Sequence, residues 1–159
     1  MGTGSARDAQ PRRRQAWSAQ TLNQWEHFPH EADIGVRGRG SSRAEAFEQV
    51  ALALTAIVVD PQRLHPSERV EFSCKAPDDE LLLADWLNAV IYEMATRHFL
   101  FCRYRVALVN HSLTAEAWGE PVDLNRHHPV VEPKGATYTA LVVRQETDGS
   151  WLAQCVVDV

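Results

Sequence analysis

Apolar positions along the chain fall into two helical stripes set among runs that alternate. Phe47, Val50, Ala51, Leu54, Ile57 and Val58 recur at the 3.6-residue spacing of a helix face, Ser42 and Glu45 stand ahead of them at capping-box spacing, and Asp60-Pro61 ends the run. Leu83, Trp86, Leu87, Val90, Ile91 and Met94 form a second stripe behind a capping Asp78, with Asn88, Glu93 and Arg97 facing away. Residues 69–75 alternate, with Val70, Phe72 and Cys74 on one side. Residues 101–109 and 112–118 alternate too, and Asn110-His111 between them suits a tight hairpin. A strand over residues 25–36, interrupted at Pro29, is expected to end in a Gly38-Arg39-Gly40 turn. The last strands, 137–144 and 151–159, flank an Asp148-Gly149 hairpin signal.

Between the two hairpins, residues 119–133 hold Pro121, Pro129 and Pro133, which predicts a long loop with room for one helical turn. The order of elements predicts an α+β fold: a single domain of mostly antiparallel sheet with two main helices packed on it. Residues 1–22 are rich in Gly, Ser, Gln and Arg and poor in large apolar side chains, so a disordered tail is expected there and the domain over residues 23–159.

Composition narrows the functional classes. With 159 residues, of which 45% are hydrophobic and 23% charged, one ordinary globular domain is expected. No apolar run approaches the roughly 20 residues of a membrane span, and the basic N-terminus lacks the apolar segment of a secretory signal, so a soluble, cytoplasmic protein is expected. Cys74, Cys102 and Cys155 make no C-x-x-C pair and read as small buried apolar residues. The net charge is −5, and residues 1–20 contribute +3 of it, which leaves −8 on the remainder. An acidic body argues against direct nucleic-acid binding. The oligomeric state is not encoded in these patterns.

Candidate chemistry is sparse. No nucleophile elbow, phosphate loop or dinucleotide fingerprint is present, and the neighbouring His127 and His128 would point apart rather than share a metal. Two acids stand out in apolar company: Asp33 between Ala32 and Ile34, and Asp158 between Val157 and Val159. Such carboxylates are either solvent-facing strand-end residues or a pair that raises one another's pKa or holds a hard cation.

The particular residues carry more than their spacing. His30-Glu31-Ala32-Asp33-Ile34-Gly35, Ala44-Glu45-Ala46-Phe47, Leu83-Ala84-Asp85-Trp86-Leu87-Asn88, Trp118-Gly119-Glu120-Pro121, Lys134-Gly135-Ala136-Thr137-Tyr138 and the terminal Val157-Asp158-Val159 together resemble the archease family over residues 25–159. The resemblance implies an archease-like α+β domain of strand-helix-strand-strand modules, not itself an enzyme. It implies an activator of an RtcB-type RNA ligase that promotes guanylylation and multiple turnover in tRNA splicing and RNA repair. It implies a divalent metal ion, calcium first with magnesium or manganese as alternatives, on Asp33, Asp158 and the carbonyl of Val159, with His30, Glu132 and Lys134 nearby. His30 is expected to support a carboxylate rather than to ligate. The chain departs from the family pattern at Glu31, Gly135 and Thr139. The competing readings are a general chaperone or interaction module with an acidic surface, and a metal-dependent hydrolase.

Overall fold

Ser42 starts the first helix as its sequence spacing predicts: its hydroxyl accepts the Glu45 N–H at 3.1 Å, while the Glu45 carboxylate reaches back to Ser41. In the computed structural model, which describes residues 24–159, this helix, α1, runs over Arg43–Val58. The tail expected over residues 1–22 lies outside the described residues. Asp78 caps the second helix, α2 (Asp79–Arg97), by accepting the Leu81 N–H at 2.8 Å, and His98 closes it in the left-handed region at φ +53°.

Eight strands surround the helices: β1 (Trp25–His30), β2 (Asp33–Gly40), β3 (Glu68–Lys75), β4 (Phe99–Val109), β5 (Ser112–Pro121), β6 (Gly135–Ala136), β7 (Val142–Gln145) and β8 (Trp151–Asp158). They form two antiparallel sheets, one in the order β1-β2-β8-β6 with β7 also on β8, the other in the order β3-β5-β4. Helix α1 packs on β2 and β8 and lies along β4, and α2 contacts β3, β4 and β6. Trp86 fills the centre, its indole N–H donating to the Phe47 carbonyl at 3.1 Å and its ring edge-on to Phe72 and Tyr104. The expected α+β domain is therefore the observed one.

Polar side chains of α1 close the edge of β4. Thr55 donates to the Phe101 carbonyl at 2.7 Å, and Glu48 accepts the Val106 N–H at 2.8 Å. Without them the edge would carry unpaired backbone groups against an apolar helix face.

Four expectations need correcting. The stretch 25–36 is two strands of a hairpin rather than one interrupted strand: it turns at Glu31-Ala32, with Glu31 at φ +56°. Gly38 and Gly40 belong to β2, not to a turn. A methyl group at Gly38 would stand 2.2 Å from the Val50 backbone nitrogen, so glycine serves there to bring the strand against α1. Of the strand expected over residues 137–144 only the start of β7 at Val142 forms; β6 lies just ahead of that stretch, and the backbone between the two passes through Ala140 at φ +53°. The expected helical turn in the long loop is α3 (Leu124–His127). Among the cysteines, Cys155 is buried, while Cys74 and Cys102 are half-buried; all three are free thiols.

Candidate functional site

Register across the first sheet brings distant residues into one row. His30 pairs with Asp33 at the mouth of the β1–β2 hairpin, Ile34 pairs with Val157, and Gly135 pairs with Asp158. The next position on β2 beyond Ile34 is Asp33, and on β8 beyond Val157 it is Asp158. His30, Asp33, Asp158 and Gly135 thus follow one another across four strands. Opposed residues in an antiparallel pair share a face, with Cβ atoms about 4.5–5.5 Å apart. The alternate positions Val36, Cys155 and Val157 belong to the core, so Asp33 and Asp158 stand on the side of the sheet turned away from α1.

Backbone groups tie the row together. The Val159 N–H donates to Asp33 Oδ1 at 3.4 Å, and the Lys134 N–H donates to the Asp158 carbonyl at 2.8 Å. Asp33 is half-buried, Asp158 and Lys134 are exposed, and Gly135 adds no side chain opposite Asp158. Among the described residues no Lys or Arg side chain pairs with either carboxylate, and the His30 ring bonds to neither. Glu31 is exposed in the turn. Glu132, two residues before Lys134, lines a groove beside α2.

Could such a row hold a cation? Its donors are hard oxygens, which suit calcium, magnesium or manganese over softer ions. Among the described residues no group of three or more His, Cys, Asp and Glu side chains assembles a complete shell. Asp33, Asp158 and the Val159 carbonyl would fill only part of a shell of about six to eight oxygens, with water or a partner left to supply the rest.

Two further constellations lay beyond pattern reading. Asn88 on α2 clasps Ala136 from both sides, its Oδ1 accepting the Ala136 N–H at 2.9 Å and its Nδ2 donating to the Ala136 carbonyl at 3.2 Å. The amide completes the two-residue strand β6 and fixes the backbone from which Lys134 reaches Asp158. Its place in the Leu83 to Asn88 motif was the only signal in sequence.

The second is a buried polar knot at the start of the long loop. Glu120 is only 6% exposed, and its carboxylate accepts the His65 N–H at 2.8 Å, two bonds from the Arg126 guanidinium and one from His127 Nε2 at 3.3 Å. His127, 1% exposed, accepts the Asp123 N–H on Nδ1 at 2.8 Å. The Arg126 guanidinium, more than any other group, holds Glu120 down at a pKa of about 2, with help from the other two donors and against its burial. His127 is thus structural: both of its ring nitrogens are engaged within the protein.

Comparison with known proteins decides the family. The model of the Archease protein family (MTH1598/TM1083) matches residues 25–159. The chain belongs to the archease family. Archease relatives include the protein of Thermococcus gammatolerans, 39% identical over 142 residues, and that of Pyrococcus furiosus, 34% identical over the same length; each alignment covers 87% of this chain and all of the relative. The solution structure of Methanobacterium thermoautotrophicum protein 1598 superposes with a TM-score of 0.72 at 27% identity, covering 87% of this chain and all of that one. The crystal structure of an archease, possible chaperone, from Thermotoga maritima gives 0.54 at 18% identity over 83% of this chain and 94% of its own, a likeness of fold. No described helix of this archease-family chain is long and apolar enough to cross a membrane.

Proposed function

We propose that this archease-family chain is a metal-binding activator of an RtcB-type RNA ligase, promoting the ligase's guanylylation and its repeated turnover in tRNA splicing and RNA repair. The observation that carries the reading is the meeting of Asp33 with the end of β8, where Asp33 Oδ1 accepts the Val159 N–H. Asp33, Asp158 and the Val159 carbonyl would hold a divalent cation, calcium or else magnesium or manganese. Bound there, the cation supplies positive charge for anionic groups such as those of a nucleotide.

The chain's own residues do the rest. The hairpin turn at Glu31-Ala32, the pairing of β2 with β8 and the bond from Lys134 N–H to the Asp158 carbonyl put the backbones of Asp33 and Asp158 on neighbouring strands. Lys134, exposed beside Asp158, offers a second cationic group to the same partner. In this reading the chain acts on its partner's chemistry rather than carrying out a reaction of its own. A cytoplasmic setting and contact with the ligase rather than with its RNA go with this reading, as does the acidic body.

The test is guanylylation of the cognate ligase with GTP, with and without this chain. Wild type raises the rate and the number of turnovers, and Asp33→Ala and Asp158→Ala do not. Stimulation by both variants equal to wild type contradicts the reading. The second reading, a general chaperone, is favoured by the exposed apolar side chains Leu124 and Val130. It predicts suppression of aggregation of unrelated clients, unaffected by chelator.

A further inference from the structure

A groove of about 540 Å³ opens between the second half of α2 and the long loop after β5. Ile91 and Met94 of α2 and Val58 at the end of α1 form its floor, and Leu124, Val131 and Pro133 its outer wall. The volume is that of an ordinary ligand-sized pocket, and the lining is apolar save for His98 and Glu132. Leu124 is 71% exposed, and Val130 on the same loop is 79% exposed, so large apolar side chains stand in water on a segment, residues 122–134, that contains no glycine.

The wall is built before anything binds. Glu120 gathers His65, Arg126 and His127 at the base of the loop, His127 holds Asp123, and the Val130 N–H donates to the Val58 carbonyl at 3.2 Å. Pro121, Pro129 and Pro133 restrict the backbone between these anchors. An anchor entering a pre-formed wall meets little ordering cost.

One end of the groove adjoins the carboxylate row. Glu132 lines the groove, and Lys134, two residues on, gives its N–H to the Asp158 carbonyl. Two residues span at most about 7 Å, so a body that reaches the Lys134 backbone stands within about that distance of Glu132 at the groove. We propose that the groove is the docking site for an apolar anchor carried on a basic segment of the partner ligase. The anchor's chemistry follows from the lining, and the basic flank follows from Glu132 at the groove and from the acidic excess of residues 21–159. A second copy of this chain fits less well, because it brings the same excess of negative charge. The proposal rests on the activator reading and divides its labour: the carboxylate row acts, and the groove holds.

The test uses the intact chain and its cognate RtcB-type ligase, with affinity read by biolayer interferometry and activation by guanylylation. Leu124→Ser/Val130→Ser changes exposed side chains, and a thermal melt confirms that the fold survives. The expected result is an affinity loss of about tenfold or more, with the activator concentration for half-maximal stimulation rising in parallel and the plateau retained. Glu132→Lys loses affinity in the same direction. Unchanged affinity beside normal wild-type stimulation overturns the groove and leaves the activator reading standing. Tighter binding by the double variant overturns it in favour of a segment of the chain itself filling the groove, and a wild-type dimer that the double variant dissolves, seen by light scattering, overturns it in favour of a second copy. A wild-type chain that neither binds nor stimulates the ligase overturns both readings.

Discussion

Asp33 and Val159 lie 126 positions apart in the chain and are joined by one hydrogen bond, the Val159 N–H donating to Asp33 Oδ1 at 3.4 Å. The length of the bond leaves the carboxylate loosely held, and its second oxygen has no donor among the described residues. A cation would draw on oxygens of this kind, and the pairing of β2 with β8 is what brings Asp158 beside it. Metal and fold should therefore be linked: a cation bound only by the folded chain raises its stability by mass action. At a concentration 100 times its Kd, calcium should add about 2.7 kcal/mol to unfolding measured in urea. The gain should vanish in Asp158→Asn.

Asn88 should matter at β6 more than along α2. Replacing it with Leu keeps the size and removes both partners of Ala136, at a cost of about 1 kcal/mol per lost bond. Hydrogen exchange at the Ala136 amide should speed up, while amides in the middle of α2 keep their protection. An Ala136 amide that stays protected would mean that β8 alone holds the strand.

Glu120 governs acid stability. Its carboxylate is held at about 2 in the fold against an ordinary value near 4.5, so its contribution is complete above about 4.5 and is lost as pH falls through about 2. Urea unfolding between pH 5 and pH 2 should show wild type losing more stability than Glu120→Gln, which keeps an acceptor but carries no charge. Equal slopes would show that Arg126 and His127 do not depend on the ionised form.

Glu48 works in the opposite direction. Burial raises it to about 7, with the Glu45 carboxylate adding to the rise and the Val106 N–H and Arg105 opposing it. Its protonated form belongs to the fold, so that contribution is complete below about 4.5 and is lost as pH rises through about 7. Glu48→Gln retains an acceptor for Val106, and it should be more stable than wild type at pH 8 and close to it at pH 4.5. Thermal melts across this range give the comparison.

Gly38 carries the contact between β2 and α1. An alanine methyl placed 2.2 Å from a helix backbone nitrogen forces the two elements apart, and overpacking of this kind costs about 1–3 kcal/mol. Gly38→Ala should lower the urea midpoint without changing the slope.

Both helices were legible because their caps, Ser42 and Asp78, sit at the spacing that the physics of a helix start requires. The β4–β5 hairpin was legible from Asn110, which takes the left-handed conformation at φ +55°. The β1–β2 hairpin was not, since its turn places Glu31 in that same region and offers no glycine or asparagine as a marker. Gly38 and Gly40 misled for the converse reason: glycine marks a close approach as readily as a turn. At the candidate site, alternation alone showed Asp33 and Asp158 as two outward acids, and the family motifs suggested that they belong together. Glu120 and Asn88 stayed hidden because each is explained by partners on other elements, Arg126 and His127 across a loop and Ala136 on a short strand.

The most direct test of a cation held by Asp33 and Asp158 is paramagnetic broadening of the chain's amide NMR signals by substoichiometric Mn²⁺. The amides of Ile34, Lys134, Gly135 and Val159 should broaden first, Val109 and Asn110 at the far hairpin should stay sharp, and the effect should disappear in Asp33→Asn and in Asp158→Asn. Broadening centred on another acidic segment, or broadening that persists in both variants, would contradict it.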